Sequence, residues 1–132
     1  MTTNEKIEYW ISLSDNDLTV ASDLFKLKHF LYAGFMCHQS IEKIFKAFFV
    51  KSNPEINVPY IHNFEVIAVR GGFYDLLTDE QKDFIVELLP LNIEARYPEY
   101  KGKVSKFMTD SKTKEILDKT INLQQWMKKR LL

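Results

Sequence analysis

Apolar positions recur along the chain at steps of three and four, and no convincing run alternates apolar and polar residues at the two-residue period of a strand. The pattern therefore predicts helices alone. The densest stretch, residues 30–50 (FLYAGFMCHQSIEKIFKAFFV), reads as one long amphipathic helix. Ala33, Cys37, Ile41, Ile44, Phe45 and Phe48 form its apolar seam, and His38, Gln39, Glu42, Lys43 and Lys46 form a polar stripe. Upstream, Thr2 with Glu5 three residues later is a capping box, and Ile7, Trp10, Ser14, Leu18, Ala21 and Phe25 share one face of a helix over residues 4–28. Its other face, Glu8, Ser12, Asp15, Asn16, Thr19 and Asp23, reads as solvated or shared with a partner. The link near residues 28–30 is short, so the two helices are expected to form an antiparallel hairpin. Ala33, Gly34 and Ala47 leave room for a closely packed neighbour.

Residues 51–61 (KSNPEINVPYI) hold Pro54 and Pro59 and read as a loop. Phe64, Val66, Ile67 and Val69 supply two helical turns closed by Gly71-Gly72, one of which takes a left-handed cap. Thr78 and Gln81 make a second capping box and open a helix over residues 79–95, with a kink or break at Pro90. Residues 98–108 read as an ordered loop pinned by Tyr100 and Phe107. A last helix starts near Thr109 or Ser111 and carries Ile116, Leu117, Thr120, Ile121, Leu123, Trp126, Met127 and Leu131. The expected fold is an all-α, up-and-down bundle of four to five helices, with one domain over residues 1–132.

Composition narrows the function. Hydrophobic residues make up 45% of the chain, against only four Gly and four Pro, which fits a packed globular domain. Eighteen basic residues balance eighteen acidic ones, so any affinity for a polyanion must come from a local patch. The single cysteine, Cys37, forms no internal disulfide and no zinc cluster accompanies it, which suits a reducing cytoplasm. The N-terminus has no signal-peptide pattern, and charges interrupt the central apolar run, so neither secretion nor a membrane span is expected.

The order of these signals resembles the HEPN family (higher eukaryotes and prokaryotes nucleotide-binding domain). The resemblance rests on the first helix from Trp10 to Phe25, Tyr32-Ala33 leading into HQSIEKIFKAFF, His62 in IHNFEVI after the proline-containing loop, and ARYP at Ala95 to Pro98. It implies a helical bundle, a homodimer through the first helices, a nucleotidyltransferase-type partner and a nucleotide-binding role. It also implies a contrast, because a ribonuclease branch of the family uses an Arg followed four to six residues later by His. Here His29, His38 and His62 all precede Arg70, Arg96 and Arg130, so no such Arg-to-His spacing exists.

Each candidate site has a plain and a functional reading. His38 and Glu42, four apart, share a helix face and read either as a helix-surface hydrogen bond or as an acid–base or metal pair. Lys43, Lys46 and Lys51 with Arg96 are either solvated or, if gathered, a phosphate-binding patch. In the latter case the Arg96 guanidinium forks onto phosphate and Tyr97 stacks on a base. The alternative for Arg96 is a carboxylate, Glu42 or Glu94. His62 reads as a helix-entry residue, and Cys37 as a buried inert thiol. The leading expectation is a non-catalytic, dimeric HEPN binding module for a nucleotide or a nucleotidyltransferase partner. Its ligand contacts are Arg96, Tyr97, Lys43, Lys46, Glu42, Gln39, His38 and His62, and no metal or cofactor is expected. The alternatives are a divergent toxin-like ribonuclease using His38 or His62 with Arg96, and a purely structural interaction domain.

Overall fold

A computed structural model describes residues 1–94 and 97–131 of the chain. The first helix, α1 (Thr3–Lys26), opens with the expected capping box. The Glu5 N–H donates to Thr2 Oγ1 at 3.1 Å and the Thr2 N–H to Glu5 Oε1 at 3.0 Å. It ends slightly before residue 28, where Lys28 enters the left-handed region at φ 65°. The His29 N–H then bonds the Leu24 carbonyl at 2.8 Å and the Lys28 N–H that of Phe25 at 2.9 Å. These paired bonds are those of a Schellman closure, here without the usual glycine, and they turn the chain directly into α2 (Phe30–Ser52).

The second helix lies at the centre of the molecule. Ala33, Cys37, Ile41, Ile44 and Phe45 are wholly buried and Phe48 is buried too, as the seam predicts. The polar stripe departs from expectation: His38 is 0%, Glu42 4% and Lys46 5% exposed. A solvated stripe is therefore corrected to a buried one, because α1 covers one flank of the helix while the loop over residues 53–63 and the next helix cover the other.

That helix, α3 (Phe64–Gly71), is capped by Asn63, whose side-chain oxygen accepts the Val66 N–H at 3.2 Å. Gly72 follows in the left-handed region at φ 77°. Next, α4 (Asp79–Leu88) begins at the Thr78–Gln81 capping box. Helix α4 stops well before residue 95, because Pro90 has no amide hydrogen to continue it and the chain tightens into a 3-10 turn at Leu89–Leu91.

The segment read as a loop is instead a helix, α5 (Pro98–Phe107). Pro98 occupies its first turn, Glu99 lies near the positive N-terminal end and Lys106 near the negative C-terminal end. Phe107 is 74% exposed and pins nothing, whereas the Tyr100 hydroxyl does tie the segment down by donating to the Pro90 carbonyl at 2.8 Å. The last helix, α6 (Asp110–Leu131), lies along both α1 and α2. Six α-helices and no strand thus form an all-helical bundle among the described residues. Its core draws on α1, α2, α3, α4 and α6, and each fully buried Phe such as Phe45 or Phe64 contributes about 1.5–3 kcal/mol. Among the described residues, no helix is long and apolar enough to cross a membrane.

Candidate functional site

The i, i+4 spacing of His38, Glu42 and Lys46 places them in one row along α2, and helix packing turns that row inward. Lys46 Nζ donates to Glu42 Oε2 at 3.3 Å, with both side chains at most 7% exposed. The second carboxylate oxygen, Oε1, accepts from His62 Nδ1 at 2.9 Å across the loop before α3. Glu42 is therefore held between two cationic or potentially cationic groups, and a carboxylate–imidazole dyad results. Nδ1 of His62 is committed to Glu42, which fixes the tautomer of the neutral ring and leaves Nε2 as its acceptor.

Aromatic rings enclose the Lys46 ammonium on the other side. Its Nζ lies 5.4 Å from the centre of the Trp10 ring and 6.0 Å from that of Tyr60. The Tyr60 ring, 92% exposed, also meets His62 edge-on at 5.3 Å.

His38 differs from His62 in both burial and partners. Its Nδ1 lies 3.0 Å from Gln39 Oε1, an acceptor, so Nδ1 carries the proton and the neutral ring has a lone pair at Nε2. That Nε2 has no hydrogen-bond partner among the described residues. The ring is tilted against Phe64 at 4.5 Å. Burial pushes its pKa down to about 4, against the opposing influences of the Gln39 bond and the Glu42 charge. The ring is thus neutral at physiological pH.

His38 and His62 meet at a cleft of about 330 Å³, whose wall also includes Asn63, Leu89 and Asn92. This lies at the small end of the range for ligand pockets. A larger groove of about 580 Å³ runs between α4 and α6, but its Lys119 pairs with Glu87 at 3.7 Å and with Glu115 at 3.0 Å. The smaller cleft holds the unsatisfied chemistry.

The sequence-predicted residues separate accordingly. His38, Gln39, Glu42, Lys46 and His62 come together. A direct His38–Glu42 hydrogen bond does not form, since His38 turns to Gln39 and Glu42 to Lys46 and His62. His62 is corrected from a helix-entry residue to a partner of Glu42, the cap being Asn63. Lys43 pairs with Asp17 of α1. Lys51 donates to the Arg130 carbonyl at 2.8 Å, at the C-terminal end of α6. Each of the three lysines thus has its own partner among the described residues. Glu42 as the partner of Arg96 falls on residues only half described, because Arg96 lies outside the described residues; both Glu42 oxygens already have partners. Tyr97 is 82% exposed just before α5. No group of three or more potential metal-ligating His, Cys, Asp or Glu residues occurs among the described residues.

Sequence reasoning missed Asn92 and Leu89, and took Asn63 only as part of a helix entry. It also missed Asp17, buried at 6% exposure, and the polar seam in which the Ser14 hydroxyl donates to the Ser40 carbonyl at 2.8 Å. The helix start after Asn63 was a usable local signal; the meeting of Asn92 with His38 had none.

An all-helical bundle with a buried ionic row on its central helix and a small polar cleft beside it defines the class of this protein. The chain belongs to the HEPN domain family, whose profile matches residues 7–131, nearly its whole length. Comparison with curated proteins and with solved structures gives no match.

Proposed function

We propose that this HEPN domain is a binding module that holds a nucleotide-class ligand at the His38–His62 cleft. The observation that carries the reading is His38 Nε2, a buried acceptor without a described partner on the cleft wall. A buried unsatisfied polar atom costs about 1–3 kcal/mol, and a bound donor removes that cost. Asn92 and the α3 cap Asn63 lie on the same wall, and exposed Tyr60 beside His62 offers a ring face. Lys43 and Lys46 are engaged by Asp17 and Glu42, so the phosphate contact in this reading falls to Arg96, four residues after Asn92 in the chain, with Tyr97 next to it. The same reading has the domain working as a homodimer with a nucleotidyltransferase-type partner, as family membership suggests.

Calorimetric titration with ATP tests it, with a folded Arg96→Ala variant as control. Saturable binding is expected, weakened roughly ten- to a hundred-fold in the variant, as loss of charge-assisted hydrogen bonds implies. Absence of heat with the unaltered protein overturns the reading.

The Glu42–His62 dyad favours a second reading, in which His62 acts as a general base in RNA cleavage. A carboxylate bonded to Nδ1 orients imidazole for proton transfer at Nε2. That reading requires cleavage by purified protein that disappears in His62→Ala; cleavage persisting in the variant refutes it.

A further inference from the structure

The unmatched atom of the cleft is an acceptor, and this constrains which end of a ligand it meets. His38 Nδ1 donates to Gln39 Oε1, so the neutral ring presents only a lone pair at Nε2. A phosphate oxygen also presents lone pairs and makes no hydrogen bond with such an atom. We propose that His38 reads an uncharged N–H or O–H donor of the nucleoside part of the ligand, a base amino group or a sugar hydroxyl, and not its phosphates. This inference rests on the nucleotide-binding reading and assigns an orientation within it.

Three features support the orientation. The ring is 0% exposed and packed against Phe64, so it is held in place and cannot swing out to solvent. Burial keeps it neutral, with its pKa down to about 4, so it does not gain the second N–H that an anion needs. The other amide side chains on the wall, Asn63, whose Oδ1 caps α3, and Asn92, are uncharged, and His62 lies at the partly exposed side, bonded to Glu42. His38 thus shares the cleft with uncharged amide side chains, which suits a nucleoside at this wall and leaves the phosphates to lie away from it.

The experiment is a titration series of the full chain at pH 7.5 with adenosine, purine riboside (which lacks the amino group), ATP and inorganic triphosphate. It uses the unaltered protein, His38→Phe and His38→Gln. His38→Phe keeps a buried ring but removes the acceptor, while His38→Gln restores an acceptor oxygen near the position of Nε2; circular dichroism confirms that each is folded. The expected result is adenosine binding reduced roughly ten- to a hundred-fold in His38→Phe, recovered in part in His38→Gln, with triphosphate binding the same in all three. Purine riboside binding as weakly as adenosine binds to His38→Phe assigns the amino group as the donor; purine riboside binding like adenosine to the unaltered protein assigns a sugar hydroxyl. Equal adenosine affinity in the unaltered protein and His38→Phe overturns the inference while the nucleotide reading stands. Triphosphate binding that falls with His38→Phe also overturns it. If the unaltered protein binds neither nucleoside nor ATP, the nucleotide reading falls and the orientation falls with it.

Discussion

Removing one member of the Glu42–Lys46 pair is expected to harm the fold more than removing both. Their side chains are 5% and 7% exposed, so a single truncation leaves a charge that water cannot reach. Orphaning a buried ion costs about 3–5 kcal/mol, whereas replacing a whole buried pair by apolar residues of similar volume is often neutral or stabilising. In Glu42→Leu the remaining Lys46 ammonium still lies 5.4 Å from the Trp10 ring and 6.0 Å from the Tyr60 ring. A desolvated cation–π contact returns up to about 2 kcal/mol, so the net loss is about 3 kcal/mol. In Lys46→Met the carboxylate keeps its 2.9 Å hydrogen bond from half-exposed His62 Nδ1. The loss there is about 2 kcal/mol. If the two were independent the double variant would lose about 5 kcal/mol; the structure predicts about 1 kcal/mol, a coupling of about 4 kcal/mol. Urea unfolding of the four proteins at pH 7.5 measures it. A double variant as unstable as the sum of the singles, or single variants within about 0.5 kcal/mol of the unaltered protein, refutes the buried pair.

Three further outcomes follow from individual contacts. His38 has a folded-state pKa near 4 against about 6.5 unfolded, so between those values the unfolded chain binds more protons and stability falls as the pH is lowered. At about 1.4 kcal/mol per pH unit this removes about 3 kcal/mol, present above pH 6.5 and lost by about pH 4. Urea melts of the unaltered protein and His38→Phe at pH 7.5 and 4.5 should show that excess acid loss only in the former, and parallel losses would remove His38 as its source. The Cys37 thiol, pushed up to about 11 by burial against the influence of Thr120, should resist an aromatic disulfide reagent until urea unfolds the chain; rapid labelling of native protein contradicts it. A Cβ at Gly71 would lie 2.6 Å from Phe73 Cε1 and 3.0 Å from Phe49 Cδ2, both in buried rings, so Gly71→Ala should cost about 1–3 kcal/mol in the same melts. At Gly34 the closest atom, at 2.6 Å, is the flexible tip of Met108; there the gain in helix propensity, up to about 1 kcal/mol, offsets the crowding, and a larger loss at Gly34 than at Gly71 would reverse this ranking.

Local signals made the helical class and most helix starts legible. Both capping boxes, the Pro90 break and the glycine closure of α3 are encoded within four or five residues, and each forms as the spacing predicts. Helix α5 escaped because it buries none of its residues and so carries no apolar periodicity. Its legible signal was chemical: Pro98 at the helix start, Glu99 in the first turn and Lys106 in the last. The Lys28 turn was legible as a short link, but not as a left-handed closure, since no glycine or asparagine marks it.

The site was legible as a row of residues but not as an environment. Periodicity places His38, Glu42 and Lys46 on one face of α2 and says nothing of what covers that face. Covering it takes contacts to Trp10 in α1 and to Tyr60, His62 and Phe64 beyond α2, all outside the stretch that sets the periodicity. A polar stripe on an isolated amphipathic helix faces water, whereas on a helix surrounded by other helices it has no water to face, and its charges must pair internally or be satisfied by a ligand. Glu42 and Lys46 take the first course through His62 and each other. The Gln39 contact settles only one nitrogen of His38, and the other remains unmatched among the described residues, on a side chain that lines the cleft. Burial thus changes the significance of the stripe: it pairs Lys46 with Glu42 inside the fold, and it makes a neutral imidazole the most informative side chain of the site.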